Sequence, residues 1–183
     1  MGEMEMNIET TNLLPDKQYQ KMVLPMGEMV MAMAGKSGWM KMGSVREMPS
    51  SQAEEMYKNQ MLDPLTVMQN LTSKDYVIYY YKDDKVQETP AAGIIVKFIP
   101  ANATARWFLD AQTGMLLKSV VRQTGQSGPV DAEVFYSDYR DVDGVKFAFK
   151  TMQQSEGKKQ METALTSVKI NSGVKDDLFK KPQ

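Results

Sequence analysis

The chain contains neither cysteine nor histidine. Disulfide staples, thiol nucleophiles, imidazole bases and the commonest zinc ligands are therefore all absent, and most hydrolytic and metal chemistry has nothing to work with. An excess of one charge is lacking too. Lys and Arg number 22 against 23 Asp and Glu, so no basic field exists to hold a polyanion, and nucleic acid is excluded as an expected partner. No run approaches the roughly 18 to 20 apolar residues of a membrane-spanning helix. A leader is not visible either, because Met1-Gly2-Glu3-Met4-Glu5 has no basic start and no apolar stretch. The lack of cysteine does not fix the compartment by itself.

What is present is length for one ordinary domain over residues 1–183 and a pattern of period two. Met4, Met6 and Ile8 alternate with Glu3, Glu5, Asn7 and Glu9, so a strand over 3–12 starts almost at the first residue. Such an opening looks cut, as if the numbering began after a removed leader or inside a longer chain. Further strands are expected over 17–24, at Glu28 to Met33 and at Trp39 to Met42, with Gly35-Lys36-Ser37-Gly38 as the turn between the last two. One helix is expected after Pro49, with Ser50 or Ser51 as its cap and Glu54 or Glu55 completing a capping box. Asp63-Pro64 interrupts it, and a further turn follows over Leu65 to Leu71.

The second half repeats the strand signal. Tyr76 to Tyr81 is rich in β-formers and is followed by a turn at Asp83-Asp84. The series continues with Ile94 to Ile99, Thr104 to Leu109, Met115 to Arg122, Val130 to Tyr139, Val145 to Gln153 and Gln160 to Ile170. About ten strands around one helical segment predict a mainly β (α+β) fold, a large curved antiparallel sheet or half-barrel with a helical lid.

Three motifs are distinctive in their order. They are Trp107-x-x-Asp110-x-x-Thr113-Gly114, then Asp138-Tyr139-Arg140-x-Val142-Asp143-Gly144-Val145, then Asn171-x₄-Asp176-Asp177-x-Phe179-x-x-Pro182. Together with the Pro15-Asp16-Lys17 strand entry and the Gly35 to Trp39 turn, they resemble the outer-membrane lipoprotein-sorting superfamily, the LolA/LolB-type carriers. The likeness is closer still to LolA-like domains that occur alone or as modules of larger envelope or peptidase-like chains in Gram-negative bacteria. The resemblance implies a half-barrel with helices over its concave side and an apolar cavity for acyl chains. It also implies a periplasmic or outer-membrane-associated location, and a leader, a helix and a first strand ahead of the point where Met1 stands.

The composition adds an independent argument for such a cavity. Methionine supplies 17 of 183 residues, and its flexible thioether suits a surface that must accept variable apolar ligands, although it fills ordinary cores equally well. Candidate cavity residues are Met29, Met31, Met33, Trp39, Met56, Met61, Ile94, Val96 and Trp107. For Trp39 and Trp107 the plainer reading is core packing, and the Tyr79-Tyr80-Tyr81 run splits between two faces of a strand.

No cofactor, metal site or catalytic residue is expected. Asp138, Asp141 and Asp143 lack the remaining ligands of a calcium loop, and a hairpin with Gly144 in the left-handed region explains them. The pairs Glu54-Glu55, Asp83-Asp84 and Asp176-Asp177 read as solvated surface, and Lys180-Lys181 as a basic tail. The expected function is therefore non-catalytic binding of a lipid or lipoprotein acyl chain, with reversible capture under an opening lid. The alternative is a protein-interaction domain of a larger envelope protein. An enzyme ranks third, since nothing assembles a nucleophile, a base and an orienting group.

Overall fold

The computed structural model describes residues 5–125 and 128–182. Alternating sequence becomes antiparallel sheet almost throughout, with twelve strands in two sheets among the described residues. The mainly β expectation is met, and the strands fall into sheets of five and seven. The chain forms two compact units, Met1–Gln69 with Gly173–Gln183, and Asn70–Ser172.

The first unit holds the five-stranded meander β1 (Asn7–Leu13), β2 (Lys17–Leu24), β3 (Gly27–Ala34), β4 (Ser37–Met42) and β5 (Ser44–Glu47), paired in chain order. The strand expected from residue 3 begins at Asn7, and its Met4 lies outside the described residues. The turn expected over four residues shortens to Gly35-Lys36, with Ala34 opposite Ser37. Gly35 takes a φ of +60° there, as the first position of a two-residue hairpin loop of the II′ kind requires.

Helix α1 (Ser50–Met61) follows, and the capping box does not form. Pro49 is the N-cap residue, and no side chain caps the helix. Proline is favoured at a helix start because it carries no N–H to leave unsatisfied. Helix α2 (Pro64–Gln69) does have a side-chain cap: Asp63 Oδ1 accepts from the Leu65 N–H at 2.9 Å. No helix among the described residues is long and apolar enough to cross a membrane.

The C-terminal segment returns to this unit as a short 3-10 turn, Asp176–Phe179, which buries Phe179. It is more than a solvated tail. Lys17 pairs with Asp176 at 3.0 Å and Lys181 with Glu47 at 2.9 Å.

The second unit is a meander of seven strands in chain order: β6 (Tyr76–Val86), β7 (Thr89–Phe98), β8 (Ala103–Asp110), β9 (Leu116–Gly125), β10 (Gly128–Val142), β11 (Val145–Ser155) and β12 (Lys158–Ala164). The expected turn at Asp83-Asp84 is not there. Both residues stay in the ladder opposite Ala92 and Ala91, with Lys82 paired to Asp84, and the chain reverses beyond Val86, where Gln87 takes a φ of 54°. A bulge between Tyr80 and Lys82 interrupts the register instead. The last expected strand also stops early, at Ala164 and not Ile170.

The other turns follow their chemistry. Asp110 Oδ1 accepts from the N–H groups of Gln112 and Thr113 at 2.8 and 2.9 Å before Gly114. Asp141 Oδ1 accepts from the Gly144 N–H at 3.0 Å. These are side-chain mimics of backbone turns.

Candidate functional site

Register sorts the methionines of the first unit. Directly opposed residues of an antiparallel pair share a face, so Met29, Met31 and Met33 of β3 lie on one side with Met22 of β2 and Met40 of β4. Helix α1 covers part of that side. Met33, Met48 and Ala53 form a buried cluster, with Met31, Met40 and Met56 packed against it. Five methionines thus make a continuous layer between sheet and helix. Met29 lies on the same face, half-buried, and Met61 is buried at the end of α1.

Gly38 shapes one end of this layer. A Cβ there would meet the Met33 sulfur at 2.5 Å and the Ala32 carbonyl oxygen at 2.7 Å, so only glycine lets the thioether lie this close to the strand.

Trp39 belongs to the opposite face, where it packs with Val30, Ala32, Tyr19 and Val45. Its indole N–H donates to the Phe179 carbonyl at 2.9 Å, which fastens the C-terminal segment to the sheet.

A groove of about 450 Å³ opens beside the layer, with Gly38, Trp39, Met48, Ala53 and Phe179 among its lining. This volume is within the range of small-molecule pockets. Four lysines, Lys17, Lys36, Lys180 and Lys181, line it against Glu47 and Asp176. The hydrogen bond from Lys181, and then its charge, hold the Glu47 carboxyl below its ordinary range. Lys180 does the same to Asp177. Lys36 lies over the Tyr57 ring, 5.7 Å from its centroid, and so links the β3–β4 turn to α1.

The remaining candidates sit in the second unit on one face of the seven-stranded sheet. Ile94 is opposite Trp107, and Val96 is opposite Ala105. Val96 and Trp107 are buried and Ile94 is half-buried. The Trp107 indole nitrogen is buried with no hydrogen-bond partner among the described residues.

The nine predicted residues are therefore distributed over three surfaces: the methionine layer with Met61 at the end of its helix, the Trp39 face, and the Ile94–Val96–Trp107 face. Two residues that sequence reasoning left out are central. Met48 closes the layer from just before Pro49, where short irregular chain hid it, and Phe179 anchors the C-terminal segment, where only the burial of a terminal aromatic would have signalled it.

Among the described residues no group of three or more Asp or Glu side chains is placed to hold a metal ion. Four of the carboxylates singled out from the sequence pair with lysines: Glu55 with Lys58, Asp84 with Lys82, Asp176 with Lys17 and Asp177 with Lys180.

No family model matches the sequence, and no curated protein matches it. Solved structures do. A domain from Vibrio parahaemolyticus, provisionally assigned as an outer membrane lipoprotein-sorting protein domain, aligns over 95% of this chain and 80% of its own at 12% identity and a TM-score of 0.61. A DUF1329 family protein from Desulfovibrio piger aligns over 96% and 80% at 11% identity and a TM-score of 0.56. A LolA superfamily protein from Nitrosomonas europaea aligns over 96% and 87% at 10% identity, but its TM-score of 0.48 adds nothing to the first two. At such identities the likeness is one of fold, and the fold is LolA-like.

Proposed function

We propose that this chain is a non-catalytic binding protein of the cell envelope that takes up the acyl chain of a lipid or lipoprotein in the methionine layer beneath α1. The observation that carries this reading is the layer itself: Met31, Met33, Met40, Met48 and Met56 between one sheet and one helix. Methionine has three rotatable bonds and a polarisable sulfur, so such a layer re-packs around an inserted chain at little strain. Transfer of each CH₂ from water gains roughly 0.8 kcal/mol, and one fatty chain supplies on the order of 10 kcal/mol before ordering costs.

The helix is suited to act as a lid. Of its 12 residues only Ala53 and Met61 are fully buried, and no side chain caps its start. Displacing it therefore exposes little apolar surface that an acyl chain would not cover again. The provisional lipoprotein-sorting assignment of the Vibrio parahaemolyticus domain supports the same class of ligand.

Protein purified without detergent should retain a lipid in native mass spectrometry, and delipidated protein should bind a fluorescent fatty acid. Met56 is half-buried on α1, so Met56→Glu sets a carboxylate at the edge of the layer and should weaken probe binding at least tenfold while circular dichroism stays unchanged. No retained lipid together with no probe binding would sink the reading.

One observation favours a second reading, docking of an extended protein strand. β6 ends its sheet, and Val77, Ile78, Tyr79, Tyr80 and Tyr81 are all exposed along it. No charge or proline blunts this stretch, whereas the other edge of the same sheet, β12, carries Lys158, Lys159 and Glu162. An ungated apolar edge is a template for strand addition. Tyr80→Lys should abolish capture of a strand-forming partner peptide, and equal capture by the variant would exclude this edge.

A further inference from the structure

The groove beside the methionine layer carries a charge that the chain as a whole does not. Its lining holds four lysines against two carboxylates, Glu47 and Asp176, a surplus of two positive charges on a chain whose formal net charge is −1. All of these residues belong to the first unit.

Pairing singles out one of the lysines. Lys17 meets Asp176 at 3.0 Å, Lys181 meets Glu47 at 2.9 Å, and Lys180 meets Asp177, which is outside the lining, at 2.6 Å. Lys36 pairs with no carboxylate among the described residues. Exposed at the β3–β4 turn, it only lies over the Tyr57 ring, 5.7 Å from the centroid. A cation so placed is held weakly and can turn to an anion. The three ion pairs are largely exposed as well, so salt screens them and they hold their lysines loosely.

The apolar wall indicates what the anion is attached to. Met48 and Ala53 line the groove and also belong to the buried cluster with Met33, so groove and methionine layer share a wall. The Trp39 N–H and the Ser37 hydroxyl already donate to the Phe179 and Ala34 carbonyls. What the groove still offers is positive charge beside an apolar layer. A phosphate monoester carries about −1.5 to −2 charges at pH 7, which matches the surplus on the lining, and lysine binds phosphate as a point charge. The volume of about 450 Å³ holds such a head group together with the first part of a chain.

We propose that this groove binds the phosphate head group of an anionic lipid, with Lys36 as the direct contact and Lys17, Lys180 and Lys181 supplying the field around it. The acyl chain runs past Met48 into the methionine layer. This rests on the acyl-binding reading and adds a head-group class to it: neutral acyl esters enter the layer, and phosphorylated ones are preferred.

Two ligands separate the claims, because 1-palmitoyl glycerol 3-phosphate and 1-palmitoyl glycerol differ only in the phosphate. Titrated calorimetrically below their micelle concentrations, the phosphate ester should bind about tenfold more tightly in 50 mM salt and lose most of that preference in 0.5 M. Lys36→Gln should weaken the phosphate ester about fivefold and the neutral ester less than about twofold, whereas Lys36→Arg, which keeps the charge, should stay within about twofold of wild type for both. If both esters bind and the wild type shows no salt-sensitive preference, the proposal is overturned and the acyl-binding reading stands. The same holds if Lys36→Gln weakens both alike or neither, or if Lys36→Arg loses as much as Lys36→Gln. Inorganic phosphate that binds as tightly as the phosphate ester, and depends equally on Lys36, would also overturn it, since the groove would then take free phosphate. If neither ester binds, both readings fall. Should Lys36→Gln fail to fold, the wild-type preference and its loss in salt decide alone.

Discussion

Replacing Trp39 and Trp107 separately by phenylalanine performs the same chemical deletion at two sites that differ in one hydrogen bond. Trp39→Phe removes the donor to the Phe179 carbonyl and leaves that oxygen buried beside a smaller ring. An orphaned buried acceptor costs about 1–3 kcal/mol, and the gap left by the lost ring adds about 1 kcal/mol. The expected loss is about 2–4 kcal/mol. Trp107→Phe leaves a similar gap but also removes a donor that has no partner among the described residues, which relieves a cost of about 1–3 kcal/mol. Its net effect should range from neutral to a gain of about 2 kcal/mol. The two variants should therefore differ by at least about 2 kcal/mol, read from urea midpoints at constant slope.

The same comparison shows what holds the C-terminal segment down. The pairs Lys17–Asp176 and Lys181–Glu47 are largely exposed, and such pairs are worth about 0–1 kcal/mol each. Burial of Phe179 and its accepted hydrogen bond are worth several times that. Trp39→Phe should accordingly make residues 173–182 accessible to limited proteolysis, whereas 0.5 M salt alone should not. Equal destabilisation by the two tryptophan variants, or a segment released by salt in the wild type, would refute this ranking.

Gly38→Ala should cost about 1–3 kcal/mol by overpacking, read as a fall in melting temperature. Met33→Ala should not rescue it, because the Ala32 carbonyl oxygen still lies 2.7 Å from the added Cβ. Full rescue would show that the thioether alone makes the clash. Tyr139 donates to the Leu116 carbonyl at 2.7 Å, and burial, followed by the nearby Tyr136, pushes its phenol up to about 12 from 10.0. Because the folded state keeps a proton that the unfolded state has lost, this group's contribution is intact below pH 10 and falls as pH rises from 10 to 12. Allowing for partial solvent screening, the fall should be about 1–2 kcal/mol, and Tyr139→Phe should lack it in alkaline denaturation. A Met31→Leu/Met40→Leu double variant should keep its stability within about 1.5 kcal/mol. It should bind a narrower range of fatty-acid chain lengths than the wild type in probe displacement, and an unchanged range would argue against methionine as the source of adaptability.

How much of this was legible in the chain depends on whether the deciding contact is near in sequence. The Asp110 to Gly114 and Asp141 to Gly144 turns are closed by hydrogen bonds spanning two or three residues, so their residues announce them. Asp83-Asp84 carries the same chemistry and yet forms no turn. Its conformation is set by pairing with Ala91 and Ala92 and by the Lys82–Asp84 ion pair, and a ladder outweighs a local preference. Ser50 and Ser51 likewise offer a cap that the helix does not use, since Pro49 already occupies the capping position.

The candidate site lies between these cases. Composition alone marks methionine as unusual, but only register decides which methionines meet. Moving β3 by one residue would bring Val30, Ala32 and Ala34 under α1 and turn Met29, Met31 and Met33 to the Trp39 side. That register is fixed by the two-residue loop Gly35-Lys36, which sets Ala34 opposite Ser37. Counting back from the loop then places Met33 against Gly38, where the missing side chain admits its sulfur, and Met31 against Met40. The layer is thus written in the sequence at Gly35 and Gly38, two glycines with different tasks, one bending the chain and one making room for its neighbour. Reading the first alone gives the hairpin; reading both gives the methionine face of the sheet.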